Sequence, residues 1–436
     1  MTERLALLGG PRSVTLPVDD TWPVIGQAEI DAVVALMRRG QISIGDGSGP
    51  IGELEAAFAR TTGAAYALMH NSGTSALHAA FYGVGVGPGD EVLVPSYTWH
   101  ATAGAVVAAN GVPIFCESDP RTLNLDADDA AGRITPRTKA IAVVHMWGNV
   151  ADMEGVLALA RARGLAVVED CSHAHGATWR GRHVGTIGDA GAFSLQGSKV
   201  LVAGEGGMLI TNRTEVYDRA LVLGSHGRIQ YHAHDVAIRE LTTGLGFKYR
   251  PHPLGAAIAL AQFERLDAYN AGRRGNYEYL MAGLRDLPAL RVTETPEGGV
   301  RGGYYGTRLR YDSRKLVGIS RGTLLKALRA EGVPCDIERY PLLHLTPYYR
   351  HRQRAYDGYP APVASAAYPT DPYAPGDLPA TEAFHEQLLA LPVLTEPQAP
   401  LLDQIIAAFH KVMTGVNVEE LRDAQERGDP VLDAGV

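Results

Sequence analysis

The sequence has only three cysteines in 436 residues, Cys116, Cys171 and Cys335, and no two of them form a CxxC pair. This argues against a structural zinc centre and a disulfide framework, and it fits a reducing compartment, the cytoplasm. No apolar run approaches the roughly 18 residues that a membrane-spanning helix needs. The opening Met1-Thr2-Glu3-Arg4-Leu5-Ala6-Leu7-Leu8-Gly9-Gly10 lacks the apolar core of a signal peptide. Positive charge is not in excess. The chain carries 40 Lys and Arg against 48 Asp and Glu, a formal net charge of −8. That balance speaks against nucleic acid and anionic membrane as partners. There is no phosphate-binding GxxxxGK(S/T) loop and no GxSxG of a serine hydrolase. The glycines of Val84-Gly85-Val86-Gly87-Pro88-Gly89-Asp90 precede a strand rather than follow one, so they read as a turn and not as a dinucleotide loop.

What is present is a rhythm. From residue 66 onward short apolar segments alternate with helical ones. Strands are expected at 65–69, 91–94, 113–117, 140–145, 166–170, 190–194 and 207–211, with helices at 75–82, 101–109 and 153–163 between them. This predicts an α/β fold with a mostly parallel seven-stranded sheet covered on both faces. The expected organisation is an irregular arm over 1–25, a large domain over 26–270, a smaller α+β domain over 271–415 and an acidic tail over 416–436. A Pro/Tyr-rich stretch, 351–380, reads as an extended loop inside the smaller domain. In such sheets ligands bind beyond the carboxyl ends of the strands. Asn71, Tyr97, Asp170 and Ser194 fall at or just after such ends.

Two segments carry chemistry. Lys199 follows Phe193-Ser194-Leu195-Gln196-Gly197-Ser198 and precedes Gly204-Glu205-Gly206-Gly207-Met208, while Asp170 closes the apolar run Leu165-Ala166-Val167-Val168-Glu169-Asp170. A lysine after a strand, with a carboxylate at the end of another, suits pyridoxal 5'-phosphate. That aldehyde is held as a Schiff base, and its ring nitrogen needs an acidic partner to act as an electron sink. Ser194 can hold the phosphate. Ser72-Gly73-Thr74-Ser75 opens a helix, where backbone N–H groups attract a phosphate, with Thr74 or Ser75 adding a hydroxyl. Trp99 is favoured over Tyr97 as the aromatic that stacks on the cofactor ring. His173 is placed to tune the ring's phenolic oxygen. His173 and His175 have no third ligand of suitable spacing, so no metal is expected. His232-Ala233-His234-Asp235 reads as a polar loop.

These segments resemble the DegT/StrS-type family of pyridoxal-phosphate-dependent sugar aminotransferases, of fold type I. The matching stretches are Asn71-Ser72-Gly73-Thr74-Ser75-Ala76-Leu77, Gly87-Pro88-Gly89-Asp90-Glu91-Val92, Thr98-Trp99-His100-Ala101-Thr102, Glu169-Asp170, Phe193 through Lys199, Gly204 through Met208 and His226-Gly227. Tyr340-Pro341-Leu342-Leu343-His344 and Leu391-Pro392 extend the likeness into the C-terminal third. Leu7-Leu8-Gly9-Gly10-Pro11 and Thr98-Trp99 look most like the branch of scyllo-inosose aminotransferases and 3-amino-5-hydroxybenzoate synthases. The resemblance implies an amino transfer from glutamate or glutamine to a keto-sugar, nucleotide keto-sugar or keto-cyclitol, in antibiotic or surface-sugar biosynthesis. It also implies a homodimer with shared active sites. The family commonly has an asparagine where Gly246-Phe247-Lys248-Tyr249-Arg250 carries Lys248, and that position reaches the partner's phosphate. A dehydratase or aromatising synthase on the same scaffold is the alternative, although family dehydratases tend to replace the lysine with histidine. A non-catalytic cofactor-binding protein is a further alternative.

Overall fold

The computed structural model describes residues 3–241, 243–350 and 373–428. All seven expected strands are present, as β1 (Tyr66–His70), β2 (Glu91–Pro95), β3 (Val112–Cys116), β4 (Thr138–Val144), β5 (Ala166–Asp170), β8 (Ala190–Ser194) and β9 (Gly207–Thr211), with the two-residue β6 (Thr178–Trp179) and β7 (Arg182–His183) in a separate ribbon. They form one sheet in the order β1-β9-β8-β5-β4-β2-β3. Its pairings are parallel except those of β9 with β1 and β8. Side chains alternate along each strand. Leu93, Ile141 and Val143 enter the core on one face, whereas Val92, Val94, Ala140 and Ala142 enter the core on the other. That period of two, with both faces apolar, is why these strands read as continuous hydrophobic runs.

A second sheet, antiparallel throughout, has the order β10-β12-β14-β13, formed by β10 (Leu290–Val292), β12 (Thr307–Tyr311), β13 (Asp336–Ile337) and β14 (Leu388–Leu391). The two-residue β11 (Gly299–Val300) pairs instead with β6. The helices Arg321–Ala330 and Ala399–Met413 pack into the second core, with Leu324, Leu328, Ile405 and Phe409 buried.

The boundary near residue 270 lies inside an uninterrupted helix, Leu266–Gly283. Its first turns, with Leu266 and Tyr269, belong to the large-sheet core, and its last, with Leu280 and Met281, to the second core. The acidic tail begins as a helix, Val416–Glu426, because Leu421 and Ala424 stand one turn apart and are fully buried in the second core. The opening arm is also docked there through Leu5, Leu7 and Val14, and the Glu331 carboxylate accepts hydrogen bonds from Ala6 N (2.7 Å) and Ser13 N (3.0 Å). Of the Pro/Tyr-rich stretch, residues 351–372 lie outside the described residues, as do 429–436; residues 379–385 form the helix Pro379–His385. Among the described residues, no helix is long and apolar enough to cross a membrane.

Candidate active site

The helix Gly73–Gly83 starts directly after β1. Its cap consumes the hydroxyls of Ser72 and Ser75, the second of which sequence reasoning offered to a phosphate, and leaves that of Thr74. Ser72 Oγ accepts from Ser75 N at 3.1 Å, and Ser75 Oγ donates to Asn71 Oδ1 at 2.7 Å. Ser72 therefore acts as the N-cap, and the first helical hydrogen bond runs from Ala76 N to Ser72 O. The N–H groups of Gly73 and Thr74 are left without an intrahelical acceptor, which makes this end an anion site. Ser194, at the end of β8, sits against it. A Cβ on Gly73 would lie 2.8 Å from Ser194 Cβ, and one on Gly207 would lie 2.2 Å from Ser72 O. Glycine at these two positions is what lets helix and strands converge.

Asp170 ends β5 and is 5% exposed. Its Oδ2 accepts from Thr102 Oγ1 at 2.7 Å and its Oδ1 from Ser172 N at 3.1 Å; Thr102 in turn meets Thr98 Oγ1 at 3.0 Å. The i,i+4 spacing of Thr98 and Thr102 across the start of the helix His100–Ala108 puts both hydroxyls on one side. Lys199 is 8% exposed. Its backbone is fixed by Lys199 N donating to Gln196 O (2.8 Å) and by Trp22 Nε1 donating to Lys199 O (2.8 Å). Its Nζ stands 3.9 Å from the centre of the Tyr305 ring. Burial pulls the amine below its ordinary pKa, and Tyr305 and Asp170 restore part of the loss.

The opposite wall is aromatic. His173 clusters with Trp147 (ring centres 5.2 Å, planes 18° apart) and Tyr305 (4.3 Å, 26°), which are also 5.9 Å from each other. Trp147 N donates to His173 Nδ1 at 3.3 Å, so the ring hydrogen is assigned to Nε2, which lies 3.4 Å from Tyr340 Oη. Burial, then the nearby Lys199, holds this imidazole well below its ordinary pKa, so it is neutral. Trp99 lines the rim, 43% exposed, 5.0 Å from the Tyr340 ring. Tyr97 is fully buried away from the cavity. Its hydroxyl donates to Glu338 Oε2 (2.7 Å) and accepts from Trp147 Nε1 (2.9 Å).

Ser72, Gly73, Thr74, Trp99, Asp170, His173, Ser194 and Lys199 thus surround one cavity of about 460 Å³. Lys248 does not line it. The residue is exposed, although its carbonyl accepts from Asn71 Nδ2 at 3.3 Å beside the helix cap. Tyr305, Tyr340 and Thr102 have no assigned role in the sequence reading. Tyr340 and Thr102 lie in stretches that carry the family likeness, whereas nothing periodic marks Tyr305. Burial would raise the Tyr305 phenol, but the Lys199 ammonium and the Ser198 hydroxyl, at 2.8 Å, hold it below its ordinary value.

Tyr305→Phe keeps the ring and removes the hydroxyl. It is expected to lower the Lys199 pKa further, because a group that favours the ammonium is lost, and to slow turnover by roughly tenfold. Amine labelling of the cofactor-free protein as a function of pH checks this. A labelling profile that does not move toward lower pH would refute the coupling.

Below Asp170, His145, Glu169 and Cys171 gather within 4.8 Å. The lone pairs of His145 and Glu169 are already spent, and the Cys171 thiol points its hydrogen at Glu169 O. His145 Nδ1 accepts from Ala151 N, leaving Nε2 to donate to Glu169 Oε2 at 3.1 Å, and the Glu169 oxygens also accept from Gly185 N, Ile187 N and Gly188 N. This group anchors β5 and is not built as a metal centre. His175 stands apart, buried against Phe193, and desolvation lowers it to about 3. His232-Ala233-His234-Asp235 also leaves the site alone; His234 N and Asp235 N both bind the Asp218 carboxylate.

The geometry fits the expected cofactor. A buried amine, a buried carboxylate and a helix N-terminus with a serine beside it open into one cavity. Comparison with known proteins agrees. Residues 23–360 match the model of the DegT/DnrJ/EryC1/StrS aminotransferase family. The chain is 38% identical over 366 residues to the L-glutamine:2-deoxy-scyllo-inosose aminotransferase of Streptoalloteichus tenebrarius, covering 81% of this chain and 85% of that one. It is 36% identical over 367 residues to the GDP-perosamine synthase of Caulobacter vibrioides, covering 83% and 89%. The crystal structure of an aminotransferase from Psychrobacter cryohalolentis superimposes with a TM-score of 0.80 at 27% identity, covering 92% and 99%.

Proposed function

The chain belongs to the DegT/DnrJ/EryC1/StrS aminotransferase family, and from that premise we propose that it carries the amino group of glutamine or glutamate onto the ketone carbon of a keto-cyclitol or keto-sugar, in secondary-metabolite or surface-sugar biosynthesis. Pyridoxal phosphate, the cofactor of this family, supplies when bound an aldehyde that captures amines and a ring that withdraws electrons. The observation that carries the reading is the convergence of Lys199, Asp170 and the Gly73–Thr74 helix end on one cavity.

In this reading the N–H groups of Gly73 and Thr74 and the hydroxyl of Ser194 bind the phosphate. Ser72 sets the helix end rather than touching the ligand with its hydroxyl. Asp170 would pair with the ring nitrogen, its rotamer fixed by Thr102 and Ser172 N. His173, neutral, supplies an N–H from Nε2 and packs flat against its aromatic neighbours. Trp99 covers the cavity at its rim. Lys199 would hold the cofactor covalently, and its free amine would serve as the base and then the acid that moves the proton. A buried amine of lowered pKa is suited to that work near neutral pH.

The acceptor class rests on the relatives' names. Protein treated with L-glutamine and then with 2-deoxy-scyllo-inosose or a GDP-linked keto-sugar should yield an amine detectable by mass spectrometry. Failure to convert the bound cofactor to its amino form with glutamine or glutamate would overturn the reaction. Conversion of the cofactor without amination of either ketone would overturn the acceptor class alone.

The same reading makes the enzyme a homodimer. Leu241, Leu245 and Phe247 are exposed beside Lys248, together with Tyr231 and Val236, a face suited to burial against a second copy. Lys248 then donates to the partner's phosphate, adding a full positive charge. Mixing inactive Lys199→Ala subunits with impaired Lys248→Ala subunits tests this. If Lys248 acts across the interface, a mixed dimer has one site with both defects and one with neither, and activity rises above either parent. No recovery would place Lys248 in its own subunit's site, and an unimpaired Lys248→Ala enzyme would remove it from the site altogether.

A further inference from the structure

A second cavity, of about 410 Å³, opens where the loop after β3 meets the small sheet, and it shares no lining residue with the site above. Its charges do not cancel. Arg314 is paired with Asp312 (2.9 Å) and Arg121 with Asp119 (2.8 Å). Glu294 is drawn toward Arg121. Arg291, Arg310 and Lys315 remain; among the described residues none of the three has a carboxylate within salt-bridge distance, although Asp312 and Asp119 attract Arg310 and Asp312 attracts Lys315 from farther off.

Arg291 and Arg310 also stand directly opposite each other across the β10–β12 ladder. Like charges in that relation are unfavourable. Burial, then Arg291, lowers the Arg310 pKa. The fold nevertheless holds Arg310 in place with neutral acceptors. Its Nε (3.2 Å) and Nη2 (2.9 Å) donate to Gln387 Oε1, and its Nη1 donates to Pro120 O at 2.7 Å. Arg291 Nη1 is turned to Pro288 O and Leu290 O. A guanidinium offers five N–H donors, so both arginines keep some free. The overall charge of −8 does not explain this positive patch; a bound anion does.

We infer that this cavity binds a multiply charged oxyanion, a phosphate or diphosphate group, between the Arg291 and Arg310 guanidinia and the Lys315 ammonium. Because Arg310 already bridges the small sheet to Pro120 of the large-domain loop, the anion would brace that seam. Planar guanidinia are matched to phosphate oxygens, and a preset fork loses little freedom on binding.

The test uses protein loaded with its cofactor, so that the phosphate cradle of the active site is filled. Thermal melts and calorimetric titrations are run with inorganic phosphate, pyrophosphate and GDP, with sodium chloride holding ionic strength constant. Pyrophosphate should bind and raise the Tm. In Arg291→Gln and Arg310→Lys that binding should weaken by about tenfold or more. Arg291→Gln should in addition melt no lower than wild type without the anion, since a repulsion is removed. Tighter binding of GDP than of pyrophosphate would identify the occupant as a nucleotide, and equal or weaker binding a small phosphate. A Tm that responds to pyrophosphate no more than to sodium chloride would overturn the inference. Equal pyrophosphate affinity in wild type and both variants would do the same.

Discussion

Lys199→Ala is expected to abolish turnover, by more than about a thousandfold, while leaving the fold and its melting temperature nearly unchanged. No other lysine or arginine is among the described residues lining the cavity. The contact that fixes this loop to the rest of the protein, Trp22 Nε1 to Lys199 O, uses the backbone and survives the substitution. Removing a desolvated amine also relieves a burial cost. Borohydride reduction of the yellow enzyme should fix the cofactor on the peptide that contains Lys199, and label on a different lysine would end the assignment. Substantial turnover by the alanine variant would do so equally.

Asp170→Asn should fold and melt close to wild type yet lose roughly a hundredfold in kcat, since a hydrogen bond to a charged group contributes about 1.5–3 kcal/mol. The asparagine carbonyl can still accept from Ser172 N. Thr102 can turn its hydroxyl toward Thr98 and accept from the new amide. What the variant cannot supply is negative charge at the end of β5. Turnover near wild type would mean that a different group keeps the cofactor ring protonated. Loss of folding would instead assign Asp170 a structural role like that of its neighbour Glu169, whose carboxylate binds three backbone N–H groups and His145.

The sheet was legible because its strands are buried on both faces and so spell uninterrupted apolar runs; Val92-Leu93-Val94 feeds two cores at once. The site residues at strand ends were legible for the same reason, since the runs locate the ends. Side chains delivered from far along the chain were not. Tyr305 meets Lys199 only because β12 starts beside the cavity, and no spacing in the sequence announces it. The cap at Ser72 shows a different limit. Sequence marked the hydroxyls but could not say whether a ligand or the helix would use them. In the helix that opens the tail, Val416–Glu426, five charged residues stand against four apolar ones, yet Leu421 and Ala424 share a face. A resemblance to a family singled out Lys248, which the structure leaves exposed and outside the cavity of this chain.

The helix Leu266–Gly283 has a consequence for how the molecule comes apart. A flexible hinge would let two bodies melt separately. Here one rigid rod lends its opening turns to one core and its closing turns to the other, so neither core keeps a full set of side chains once the rod frays. Calorimetry of the intact chain should therefore give a single heat-absorption peak. A gene cut at codon 270 should encode two fragments that precipitate when made alone and recover a native spectrum only when expressed together.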